Sequence, residues 1–234
     1  MWHAVGVGTG ARSNRGFHRA SWSCRLLEGP FVRFRGEPVP AASSAALAQG
    51  CILATNHRSI FDAFTGFAVL GRMGVTARPV SSARLWDSKV LGRLLDSVGA
   101  IAVGTGTEAL TAVDRAVDHL NGGEVILVTP EGRIVPAVER VDGVGAGTKL
   151  ISRIANAADV EVIPAAMTGT DAFWPLEQRL PRLRPFRPVE IRYALGEPLR
   201  FGRSHRDNVD ATMSAISTLL RDLDDAAASL VPSR

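Results

Sequence analysis

Lysine is almost missing from this chain. It occurs only at Lys89 and Lys149, although the chain carries 27 basic residues against 23 acidic ones and a formal net charge of +4. Two readings of that bias stand side by side: genomic base composition, and a use for guanidinium forks, which grip phosphate bidentately where an ammonium is a point charge. Cysteine is equally scarce. Cys24 and Cys51 have neither metal-ligand spacing nor a partner cluster, which excludes a zinc module. Both thiols are expected to serve as small apolar residues in a reduced compartment, a single disulfide being the alternative. No apolar run reaches the ~18 residues of a spanning helix. The glycine-rich amino terminus also lacks the continuous apolar stretch of a signal peptide. The expected location is therefore the cytoplasm, with any membrane contact peripheral, at its inner face. No GxGxxG follows a strand and no Walker lysine-serine pair is present. Gly143-Val144-Gly145-Ala146-Gly147 reads as a flexible loop rather than a nucleotide cradle. His3, His18, His119 and His205 are scattered without ligand spacing, so no metal is expected. Internal repeats and low-complexity segments are absent.

What is there is ordinary in bulk. The 234 residues, 46% hydrophobic and 21% charged, fit one globular domain with a sizeable core. Residues 1–16, rich in Gly and Ser, read as a mobile segment, and residues 17–230 as the domain. The hydrophobic pattern predicts helices over 17–27, 63–70, 84–95, 107–120, 148–157 and 209–223. It predicts strands over 31–34, 51–54, 99–103, 124–128, 160–167 and 189–194. Residues 37–48 read as a connection ending in a short helical turn. Leu110, Val113, Val117 and Leu120 share one face of the helix over 107–120. Val209, Met213, Ile216, Leu220 and Leu223 do so in the last helix. Strands alternating with helices argue for an α/β domain around a central buried sheet.

Two polar tips follow apolar strands, where α/β sheets gather ligands. One holds Asn56, His57, Ser59 and Asp62. The other holds Pro130, Glu131, Gly132 and Arg133. Alone, a histidine such as His57 after a strand is more often structural than catalytic, and Asp62 alone is more often a helix cap or surface charge. Together they suggest more. A carboxylate five residues on, across a turn and into a helix, can reach one imidazole nitrogen and leave the other for substrate. It would fix the tautomer and stabilise the imidazolium formed on proton abstraction.

Asn56-His57-Arg58-Ser59-Ile60-Phe61-Asp62 resembles the NHxSxxD form of the HX4D motif of the glycerolipid acyltransferase family, which includes glycerol-3-phosphate and 1-acylglycerol-3-phosphate acyltransferases. Further blocks follow in the family's order. Gly99-Ala100-Ile101-Ala102-Val103 is similar to its second block. Val128-Thr129-Pro130-Glu131-Gly132-Arg133 is similar to its Pro-Glu-Gly block, and Val162-Ile163-Pro164-Ala165-Ala166 to its proline-bearing strand. The resemblance covers residues 50 to 200. It implies a central mixed, largely parallel sheet flanked by helices, as in glycerol-3-phosphate acyltransferase. It implies direct acyl transfer from a CoA or acyl carrier protein thioester to an acceptor hydroxyl, with no other cofactor. His57 would be the general base and Asp62 its partner. Asn56, Ser59, Glu131, Gly132 and Arg133 would bind substrate, and nearby backbone amides would hold the oxyanion. The implied acceptor is a lysophospholipid such as 1-acylglycerol-3-phosphate.

The departures bear on that acceptor. Where the second block has an arginine to meet the acceptor phosphate, this chain reads Val103-Gly104-Thr105-Gly106-Thr107. Arg133 follows Gly132 directly, where Thr-Arg is usual. Two alternatives therefore stand: an acyltransferase of specialised metabolism with a soluble hydroxyl or amine acceptor, and a non-catalytic lipid- or acyl-carrier-binding protein. Arg179, Arg182, Arg184 and Arg187, with Phe173, Trp174 and Phe186 nearby, read either as a solvated basic loop or as a contact for anionic lipid or an acidic carrier. Nucleic acid is not an expected partner, for want of a recognised binding fold.

Overall fold

The computed structural model describes residues 15–184 and 187–229. The expected mobile segment over 1–16 lies outside them, except for Arg15 and Gly16, as do Phe186 of the basic loop, His3 and residue 230. In chain order the elements are α1 (Arg15–Arg25), β1 (Val32–Gly36), α2 (Ala41–Gln49), β2 (Ile52–Thr55), α3 (Phe61–Arg72) and β3 (Ala77–Ser82). Then come α4 (Lys89–Ser97), β4 (Ile101–Val103), α5 (Thr107–Asn121), β5 (Val125–Val128) and α6 (Leu150–Ala158). β6 (Val162–Thr168), α7 (Thr170–Phe173), β7 (Val189–Leu195) and α8 (His205–Ala228) complete the fold.

Among the described residues seven strands form one sheet in the order β1-β7-β6-β2-β5-β3-β4. β6, β2, β5, β3 and β4 run parallel, β7 is antiparallel to β6, and β1 is parallel to β7. The sheet is thus mixed and largely parallel, the single-domain α/β architecture expected. Its central strands are apolar on both faces because helices cover both. Leu53, Leu127 and Ile163 point into one core with Phe17, Phe61, Phe67 and Phe173. Their neighbours Ile52, Ala54, Ile126, Val128 and Val162 point into the other, with Ile151, Ile154 and Ile216. This is the period-two alternation of strand side chains. Each such buried side chain contributes about 1.5–3 kcal/mol, enough for four-residue strands to hold at the centre. Cys24 and Cys51 are free and buried. Burial pushes the Cys24 thiol up to about 11, and burial together with Glu161 pushes Cys51 up to about 12, so both stay protonated at neutral pH.

Four local expectations change. Residues 77–82 are a strand, β3, paired on both sides. Its Arg78 and Pro79 hid it, and the arginine is accommodated by the carboxylate of Glu124 at the foot of β5. The helix expected over 84–95 is a 3-10 turn (Ala83–Asp87) followed by α4. Ser88 separates them in an extended conformation and caps α4 by accepting from Leu91 N–H at 3.4 Å. Residues 41–49 are a full helix, with Pro40 just before it, where a missing N–H loses no helical bond. In α5 the buried face is Ala112, Val113, Ala116 and Leu120, while Leu110 stands 57% exposed. The last helix keeps its expected stripe buried but runs further at both ends, with Ser204 as its cap.

β2 and β5 are neighbours whose outgoing helices, α3 and α6, cover opposite faces of the sheet. Such a switch leaves a crevice at the carboxyl ends of the two strands. Both polar tips lie there.

Candidate active site

The first tip begins where β2 stops. Asn56 is fully buried. Its side-chain amide donates to Met167 O at 3.0 Å and accepts from Met167 N–H at 2.9 Å, an added rung tying the end of β2 to β6. Ser59, also fully buried, starts helix α3: its Oγ accepts from Phe61 N–H at 3.0 Å and donates to Trp174 O at 2.7 Å. Between them the chain folds back over Asp62, in the first turn of α3, where a carboxylate suits the helix dipole. Asp62 is 3% exposed, and its Oδ2 accepts from three donors: Arg58 N–H at 2.6 Å, Ser59 N–H at 2.7 Å and the His57 ring at 2.9 Å. A carboxylate only accepts, so in the neutral imidazole the hydrogen sits on Nδ1 and Nε2 is left as the acceptor. Among the described residues Nε2 has no hydrogen-bond partner, and the His57 side chain keeps 22% of its surface open.

The second tip closes behind the first. Glu131 is 6% exposed, and its carboxylate accepts from His57 N–H at 2.6 Å and Gly145 N–H at 2.9 Å. Burial holds its pKa above the ordinary carboxylate range, against the pull of those two N–H groups and the His57 ring. Val135 N–H donates to His57 O at 3.0 Å, so both sides of the His57 backbone are fastened to this loop. Gly132 turns the chain with a positive φ of 69°, which a side chain would strain.

His57, Asp62 and Glu131 are therefore brought together as a unit. Asn56 and Ser59, expected to bind substrate, lie beneath the surface with their polar atoms engaged by the fold. Arg133 points outward, 59% exposed, and pairs with Glu139. Gly143, Gly145 and Gly147 are not a free loop. Gly143 O accepts from Arg58 Nη2 at 2.9 Å, Gly145 is held by Glu131, and a Cβ on Gly147 would meet Val209 at 2.6 Å. Of the basic loop's aromatics, Phe173 is core, its ring 4.5 Å from that of Phe61. Trp174 is half-buried, its indole N–H donating to Gln178 O at 3.0 Å. Among the described residues no His, Cys, Asp and Glu cluster suits a metal.

Sequence reasoning missed Arg58, Arg140 and Asp171. The Arg58 guanidinium is half-buried, and burial followed by the nearby Arg140 charge holds its pKa below the usual arginine range. Arg140 pairs with Asp171 at 2.9 Å and is 12% exposed. No local pattern marks either partner: the contact joins the loop after β5 to helix α7, after β6.

No curated protein matches the chain. The 1-acyl-sn-glycerophosphate (LPA) acyltransferase PlsC from Thermotoga maritima shares its fold at a TM-score of 0.64 and 17% identity, covering 90% of this chain and 79% of that one. The model of the Acyltransferase family matches residues 31–168, which takes in both polar tips and more than half of the sequence. The protein accordingly belongs to the Acyltransferase family.

Proposed function

We propose that the protein moves an acyl group from a CoA or acyl carrier protein thioester to the hydroxyl of a lysophospholipid such as 1-acylglycerol-3-phosphate, with His57 as general base. One observation supports the reading: His57 Nδ1 is held at 2.9 Å by a buried carboxylate, while Nε2 has no hydrogen-bond partner among the described residues on a side chain that keeps 22% of its surface open. In the reaction Nε2 takes the acceptor's hydroxyl proton as the oxygen attacks the thioester carbonyl. The tetrahedral oxyanion collapses, the C–S bond breaks, and the thiolate leaves with the proton held by His57. Asp62 steadies the imidazolium between those steps.

The test is to offer acyl-CoA and acyl carrier thioesters to the purified protein with a panel of acceptors, following thiol release and product mass. Ester formation on the lysophospholipid is the expected result. Thioester binding with no transfer to any acceptor would instead establish a non-catalytic binding protein. A second reading, transfer to a soluble hydroxyl or amine, is favoured by two features: no arginine stands at Val103-Gly104-Thr105, and Arg133 is turned to Glu139. Product on soluble acceptors alone would decide for it.

A lipid acceptor would be met at a membrane surface. No helix among the described residues is long and apolar enough to cross one. Exposed large apolar side chains sit on the segments that follow the parallel strands: Ile60, Leu85, Val90, Val138, Leu180 and Leu183. Arg179, Arg182 and Arg184 interleave with the last two. Vesicles carrying anionic lipid should bind the protein, and salt should weaken the binding. The pair Leu180→Glu and Arg182→Glu should weaken it by roughly tenfold or more, at about 1 kcal/mol per basic residue near the surface. Equal binding to neutral and anionic vesicles would refute the contact.

A further inference from the structure

The turn that carries His57 contains two peptide groups, 57–58 and 58–59. Their N–H groups both donate to Asp62 Oδ2, at 2.6 and 2.7 Å. Their C=O groups are held from the other side. His57 O accepts from Val135 N–H at 3.0 Å, and Arg58 O accepts from Arg140 Nη2 at 3.4 Å. Val135 is itself fastened to the same guanidinium, its carbonyl accepting from Arg140 Nε at 3.0 Å. Arg140 Nη1 completes the set on Asp171 Oδ2 at 2.9 Å, in the first turn of α7. A peptide group is planar, so fixing its C=O also fixes where its N–H points. One guanidinium thus reaches both peptide groups, the second directly and the first through Val135.

We propose that Arg140 is a positioning residue for acyl transfer: by holding the outer face of the His57 turn it keeps the Arg58 and Ser59 N–H groups on Asp62 Oδ2, and so keeps Asp62 on His57 Nδ1. The role rests on His57 as the base. It requires arginine. The planar fork serves the Val135 and Arg58 carbonyls and the Asp171 carboxylate in one plane, whereas a lysine ammonium is a single point on a flexible stem. Asp171 anchors the fork, and its loss leaves the two carbonyl contacts in place.

Steady-state kinetics of Arg140→Gln, Arg140→Lys, Asp171→Asn and His57→Ala in the full chain, each with its thermal midpoint, test the assignment. Arg140→Gln is expected to lose about 10- to 100-fold in kcat, the scale of a small misplacement of a reacting group, with KM for the thioester nearly unchanged. Arg140→Lys should recover only part of the loss, and Asp171→Asn should lose less than Arg140→Gln. If Arg140→Gln does not fold, the other two variants carry the same test. The proposal is overturned if kcat per folded molecule matches the parent in these variants, or if the loss lies in KM alone. Activity in His57→Ala would strike the base assignment itself. An inactive His57→Ala beside fully active Arg140 variants would strike only the role of Arg140.

Discussion

His57→Ala is expected to lower kcat by at least ~10²–10⁴-fold, the contribution of a well-placed general base. The fold should barely register the change, because the ring is partly open to solvent and among the described residues its only hydrogen bond is to Asp62. Asp62→Asn is expected to lose as much activity, up to about 10⁴-fold, since a neutral amide cannot offset the imidazolium charge. It differs in stability. Asp62 Oδ2 also accepts two backbone N–H groups, and a rotated amide would turn its own NH₂ toward them, at about 1–3 kcal/mol for each buried donor left without an acceptor. The double variant should be little slower than either single one, because the two side chains act as a unit. Thiol release by His57→Ala at the parental rate would sink this account. Additive losses in the double variant would separate the two residues' roles.

Glu131→Ala is the second large effect. The carboxylate is the acceptor for the N–H groups of His57 and Gly145. Removing it leaves two inward-facing donors unpaired, at about 1–3 kcal/mol each. Glu131→Gln should lose about half as much, since its one carbonyl oxygen satisfies one donor while its NH₂ opposes the other. Both should also slow turnover, because the His57 backbone is released. The pH dependence has a definite sign. The folded-state pKa is raised, chiefly by burial, so just above the ordinary carboxylate range the folded protein holds a proton that the unfolded chain has released. The residue's contribution to stability therefore falls as pH rises through that window and is constant above the raised pKa. Denaturant unfolding of the parent and of Glu131→Gln across that range should show the parent's advantage shrinking as pH rises. A gap that does not change with pH would show that Glu131 does not titrate there.

What could be read from the sequence was what is local. His57 and Asp62 meet across one turn, so their spacing announced them. β2, β5 and β6 are unbroken apolar runs because both their faces are covered. β3 was hidden because Arg78 makes sense only opposite Glu124, a residue on another element. Arg133 pairs with Glu139 after the positive φ of Gly132, and a residue string does not say where the next side chain goes. Asn56 and Ser59 stand in the motif, but their partners are backbone groups of Met167 and Trp174, which have no side-chain signature. Arg140 is the extreme case, since its acceptors are two carbonyls and a carboxylate drawn from three separate segments: the turn after β2, its own loop after β5, and α7.

The central place of β2 has a consequence for how the chain is made. Both strands that flank it, β5 and β6, lie far downstream. During synthesis from the amino end, β2 leaves the ribosome with two bare hydrogen-bonding edges and apolar side chains on both faces. It stays so until residue 128 and then residue 168 have emerged. Pairings that span so much sequence form slowly, and an uncovered apolar strand is the kind of segment that joins neighbouring chains instead. The strand that presents His57 thus gains its second partner only once translation has run through to β6.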